Sequence, residues 1–219
     1  MARSVGLVSR LCVDDAGQCP LPDLDSHEAL QRGYAQAMLE IPGGMEGLVE
    51  RCNQETRPGA ALLEALGEIP GYREDPLAKK ANLLVIILSQ RPERFLDLRD
   101  PESVQPIVDY HMMRGCLRTG AICVSDGDLS DRLERRQWVT PAEETLIRET
   151  THAALTALVE ESGRTVGEVD GFFFRNGRSY CLEMEEPRCN VCPAAEHCAQ
   201  LKNLFQPDNM SSQSFRSNQ

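Results

Sequence analysis

Four cysteines crowd one short stretch near the end of the chain. Cys181, Cys189, Cys192 and Cys198 lie in CLEMEEPRCNVCPAAEHC, spaced C-x7-C-x2-C-x5-C. Two thiolates separated by two residues reach one metal centre from a single turn, and the longer arms bring the other two around it. Sites built from four thiolates hold zinc or an iron–sulfur cluster. Structural zinc usually takes two close C-x2-C pairs on separate knuckles. Here one such pair sits on one compact loop, so the spacing favours [4Fe–4S], with zinc as the alternative. The other cysteines, Cys12, Cys19, Cys52, Cys116 and Cys123, are scattered, and the total of nine is odd, which argues against a disulfide framework. In a reducing compartment such cysteines act as small buried hydrophobes.

A chain of 219 residues suits one large domain or two small lobes. Its net charge of −11 is not that of a nonspecific nucleic-acid binder, because phosphate contacts need Lys and Arg. The opening MARSVGLVSRLCVDDAG lacks the apolar run of a signal peptide. LLVIIL at 83–88 is too short to cross a membrane. A soluble, cytoplasmic monomer without membrane contact is expected.

The pattern is helical throughout. Residues 26–40 carry Leu30, Tyr34, Ala37 and Met38 at helical spacing, with Ser26 as a cap. GMEGLVERC and PGAALLEALGEI are two short helices. In YREDPLAKKANLLVIILSQR, Asp75 is the expected N-cap and Pro76 the first helical residue. That helix is apolar on every face, which predicts a central, buried position. Thr140, Pro141 and Glu143 open the longest helix, 140–162. VGEVDGFFFRNGRSY leads into the first cysteine of the loop. No strand pattern of useful length occurs, and the tail 206–219 is polar, with a disordered composition.

In PIVDYHMMRGCLRTG, Asp109 precedes a short helix that ends by Gly120. An Asp there accepts backbone N–H bonds as a cap. Taken alone, capping explains it.

The stretch V-D-Y-H-M-M-R-G-C-L-R-T-G also resembles the segment that carries the catalytic aspartate in endonuclease III-like DNA glycosylases of the helix–hairpin–helix (HhH-GPD) superfamily. DGFFFRNGRSYCLEMEEPRCNVCPAAEHC resembles that family's final helix and iron–sulfur loop, with seven residues in the first interval where the family usually has six. The hairpin signature departs further. IPGYREDPLAKKANLL keeps Pro70-Gly71 and a K-x-A-N pattern over 79–82, with a long lysine-to-aspartate separation, as in archaeal 8-oxoguanine glycosylases.

The resemblance covers roughly residues 60–205. It implies an all-α fold of two helical lobes: an N-terminal segment, 1–25, packed on the cluster lobe; a core lobe, 26–139, with the hairpin and aspartate; a cluster lobe, 140–205; and the tail. It implies a base-excision DNA glycosylase acting on damaged duplex DNA through a flipped base, with possible AP lyase activity. Asp109 would stabilise an oxocarbenium-like sugar and deprotonate the nucleophile. Only Lys79, Lys80 and Lys202 are lysines, beside twenty arginines, so Lys79, then Lys80, are the candidate amine nucleophiles. Tyr110 and His111 are candidate base contacts, as are Gln54 and Tyr72. Arg175, Arg178 and Arg188 are candidate phosphate contacts, opposed by Glu183, Glu185 and Glu186. Two other readings stand beside this one: an N-glycosidase of the same fold acting on a modified nucleoside or nucleotide, and a non-catalytic nucleic-acid or partner-binding module.

Overall fold

The computed structural model describes residues 12–204, apart from 16, 20–22, 76, 136 and 184. The expected tail lies outside the described residues, as does most of the N-terminal segment. Among the described residues there is no strand; the protein is all-α. Its helices are α1 (Leu24–Glu40), α2 (Gly44–Cys52), α3 (Pro58–Gly67), α4 (Lys79–Gln90), α5 (Tyr110–Thr119), α6 (Gly127–Glu134), α7 (Pro141–Ser162) and α8 (Val166–Ser179). Two 3-10 turns, Cys189–Val191 and Ala195–His197, follow in the cysteine loop. No described helix is long and apolar enough to cross a membrane.

Two helix starts differ from expectation. Ser26 is inside α1, and the cap position belongs to Asp23, which accepts the Ser26 hydroxyl at 2.7 Å. Helix α4 begins at Lys79, after Ala78 in the left-handed region (φ 47°). A turn from Asp75 to Ala78 uses up the residues expected as its first turn. Asp75 still serves the helix, because its carboxylate accepts the Lys80 amide at 2.9 Å. Pro76 lies outside the described residues.

Helix α4 is also not the buried centre. Ala81, Asn82, Val85 and Ile86 face the core, but Leu83 is 38% and Ile87 42% exposed. The helix packs mainly on α3, which covers one face only. The N-terminus of α3 is held from a distance: buried Asp100 accepts the amides of Gly59 and Ala60 at 2.8 and 2.9 Å. A Cβ at Gly59 would stand 2.6 Å from Leu98 Cδ1 and 3.1 Å from Asp100 Oδ1, so a larger residue there would have to move the Leu98 side chain.

The buried side chains form two cores. The first joins α2, α3 and α4 to Leu96, Val104 and Ile107, and takes Val166 from the start of α8. The second joins α5, α6, α7 and α8 to Val108, Val139 and Leu204. The core changes between Ile107 and Val108, so α5 and α6 pack with α7 and α8 rather than with the first lobe. Helix α5 packs most closely on α8 and α7. It is amphipathic, yet its inward face includes Arg114 and Arg118, exposed by only 1% and 2%.

Candidate active site and four-cysteine loop

The N-terminus of α5 collects most of the candidate side chains. Asp109 caps it, accepting the Met112 amide at 3.0 Å. The next two residues turn their rings together. Tyr110 and His111 have centroids 4.0 Å apart, and Phe174 of α8 meets His111 edge-on at 6.5 Å. The Arg178 guanidinium lies 4.6 Å above the Phe174 ring. Tyr110 and Phe174 remain exposed, so this corner presents aromatic faces to solvent.

Behind the rings lies a buried charge network. Arg114 places Nη1 2.9 Å from Glu183 and donates from Nη2 to His111 Nδ1 at 3.1 Å. Guanidinium has no acceptor, so Nδ1 must accept and the imidazole proton sits on Nε2. Burial holds the His111 pKa below its usual value, against the pull of Asp109, which keeps the ring neutral. The 3.9 Å approach of His111 to Glu183 is therefore proximity rather than an ion pair. Burial, and then Glu183 and Asp109, push the Tyr110 phenol up, so it stays protonated. Arg114 Nη1 is close to Glu183 but not aligned as a hydrogen bond, and Arg114 Nε has no hydrogen-bond partner among the described residues.

Asp170 is the residue that sequence reasoning missed. It sits half-buried on α8, and its carboxyl pKa is pushed up to about 6 by burial first and by Asp109 second. No hydrogen bond or ion pair engages it among the described residues. In sequence it is one acid among many in an acidic chain. Its register with Phe173, Phe174 and Gly177, at helical spacing towards Cys181, was the available signal.

Among the described residues the lysines make no hydrogen bond or ion pair with this corner, Asp109 included. Lys80 Nζ donates to the Gly71 carbonyl at 3.3 Å. The Lys79 amine has no partner among the described residues. Their helix is nonetheless tied to the segment that leads to Asp109, because buried Asn82 accepts the Gln105 amide at 2.8 Å and Leu77 packs on the second core. The Tyr72 ring lies 6.5 Å from that of Tyr34.

The opposite end of α5 holds the cysteine loop. Arg118 donates to the carbonyls of Leu182 (2.7 Å) and Leu204 (3.1 Å) and points Nη1 at Cys181 Sγ (3.6 Å). Asn176 accepts the Cys181 amide at its carbonyl and the Cys192 thiol at its side chain. Cys198 Sγ accepts the Gln200 amide at 3.3 Å. The Cys189 pKa is raised by burial and then by Cys198, Cys181 and Cys192, while Lys202 opposes, so the four sulfurs share one neighbourhood. Among the described residues, no three His, Cys, Asp or Glu side chains are closed to the spacing of a single-ion site. The donor set suits a thiolate-held group, and one buried polar atom is left for it. Arg118 Nη2 has no partner among the described residues, although it lies on the guanidinium that faces Cys181.

Three of the loop acids are paired. Glu183 meets Arg114, Glu185 meets Arg188 at 3.4 Å, and Glu186 meets Lys202 at 3.2 Å. Arg188, a candidate phosphate contact, is thus engaged within its own loop. No protein-family model and no curated protein matches this chain.

Proposed function

We propose that the chain is a base-excising N-glycosylase of the helix–hairpin–helix class, acting on a damaged or modified base. The observation that carries this reading is α5 itself. Its first turn presents Asp109, and its last turn, through Arg118, holds the cysteine loop. Two separate resemblances in the sequence therefore meet on one helix, at opposite ends. Asp109 would face the sugar as positive charge develops at C1′ and take the proton of the attacking group. The exposed rings of Tyr110 and Phe174 suit stacking on a base that has left its helix. If an amine attacks C1′ instead of water, Lys79 is the first choice. Its amine is unengaged, while that of Lys80 is bonded to Gly71.

The four thiolates would hold [4Fe–4S], with zinc as the alternative, and the group would brace the loop rather than react. Protein purified without oxygen should be brown and carry iron and sulfide; a colourless protein with one zinc overturns that assignment. The activity test is base release from duplex oligonucleotides that carry one oxidised, alkylated or deaminated base, with borohydride trapping. Release that disappears in Asp109→Asn supports the reading. A trapped adduct lost in Lys79→Ala and kept in Lys80→Ala identifies the nucleophile.

A second reading is favoured by the paired loop. Glu183, Glu185 and Glu186 engage Arg114, Arg188 and Lys202, which withdraws cations that a phosphate backbone would need. On that reading the substrate is a modified nucleoside or nucleotide, and release from the free deoxynucleoside outruns release from the duplex. No base release from either, with binding retained, leaves a non-catalytic module.

A further inference from the structure

Helix α8 lays one stripe of residues along α5. A Cβ on Gly115 would meet the Phe173 ring at 2.7 Å, and one on Gly177 would meet Arg114 Nη2 at 3.4 Å. Phe174 meets His111. The two helices thus pack side by side, with Gly177 beside the tip of the Arg114 side chain and Phe174 beside His111. Asp170 lies one turn before Phe174 on the same stripe, on the side of Phe174 away from Gly177, and the charge that acts on it is that of Asp109 at the N-terminus of α5.

We infer that Asp170 is the acid partner of Asp109: it donates a proton to the departing base while Asp109 receives the proton of the attacking water. The inference rests on the glycosylase reading and adds a second catalytic residue to it. The roles are separated by surroundings. Asp109 is exposed to a helix N-terminus and accepts an amide, which suits a carboxylate. Asp170 is half-buried, unpaired and next to that carboxylate, so its proton is held to about pH 6. The step balances. The C1′–N bond breaks with its electron pair going to the base, and the Asp170 proton goes to the base nitrogen. The water oxygen bonds to C1′ and its proton goes to Asp109. Passage of that proton from Asp109 to Asp170 restores the starting state.

Other titratable groups share this corner. On α5 they are Tyr110, His111 and Arg114; on α8, Arg178; on the loop, Glu183; on α7, Arg148, which donates to the Val108 carbonyl and pairs with Glu144. Burial lowers the His111 pKa, the opposite direction to that of Asp170.

The test is single-turnover base release from pH 5 to 8, on the same oligonucleotides and free deoxynucleosides. The intact protein should slow as pH rises past about 6. Asp170→Asn should fall about 100-fold at pH 6 and lose that pH limb. Asp170→Glu should restore the limb, displaced, and His111→Gln should keep it. Carboxyl carbon NMR of the intact protein should show Asp170 titrating near pH 6, and at lower pH in Asp109→Asn. Asp170→Asn with the parent rate and pH limb overturns this inference and leaves the glycosylase reading standing. An Asp170 midpoint in the ordinary carboxylate range overturns it too. A protein that releases no base, with or without Asp109, overturns the parent reading and this one with it.

Discussion

Helices α4 and α5 invert the usual link between hydrophobicity and burial. Helix α4 reads KKANLLVIILSQ, which holds the longest unbroken apolar run of the chain, yet it leaves Leu83 and Ile87 well exposed. Helix α5 reads YHMMRGCLRT, with two arginines and a histidine, and buries both guanidinium groups almost completely. Burial here follows what closes around a helix. One face of α4 meets α3. Helix α5 is enclosed by α7, α8 and the returning cysteine loop. Arginines are tolerated there because the loop supplies carbonyls and Glu183 where water would otherwise be needed.

The largest blow to this arrangement should come from Arg118→Met. It removes the donor to Leu182 and Leu204 and should cost about 3 kcal/mol in urea unfolding. In α4, Ile86→Ala on the buried face should cost about 2 kcal/mol. Arg114→Leu and Glu183→Gln, taken through a double-mutant cycle, should show a coupling of about 1–2 kcal/mol, which a solvent-exposed pair would not reach. Asp170 supplies a pH effect of opposite sign to that of a salt-bridged acid. Its folded pKa lies above the unfolded value. Its penalty is therefore absent at low pH, and stability is lost as pH rises from the ordinary carboxylate range through about 6. Asp170→Asn should remove that loss, about 1 kcal/mol after discounting for solvent screening, in melts at pH 4 and pH 7. The smallest change should be Ile87→Ser, within about 0.5 kcal/mol despite the apolar sequence around it.

The parts legible in the sequence were those with local causes. The Thr140–Glu143 capping box forms as expected, reinforced by Arg132, whose hydrogen bonds pull the Glu143 pKa down to about 2. The Asp109 cap also depends on residues within one turn. The start of α4 was misread because Ala78 takes a left-handed conformation that no local preference demands. The partners of Arg114 and Arg118, and the isolation of Asp170, were not legible. Apart from His111, which meets Arg114 within one turn, they come from residues 60 or more positions away, brought together only by packing.

One more consequence lies at the C-terminal end of α5. The carbonyls of Arg118 and Thr119 are met by the amides of Leu201 and Ala199, and Cys198 bonds Arg118 across 80 residues. During synthesis the ribosome must deliver all of α6, α7 and α8 before these partners exist. The helix that bears Asp109 is thus finished by nearly the last described residues of the chain. A nascent chain halted before Cys198 would hold its aspartate on an incompletely bonded helix.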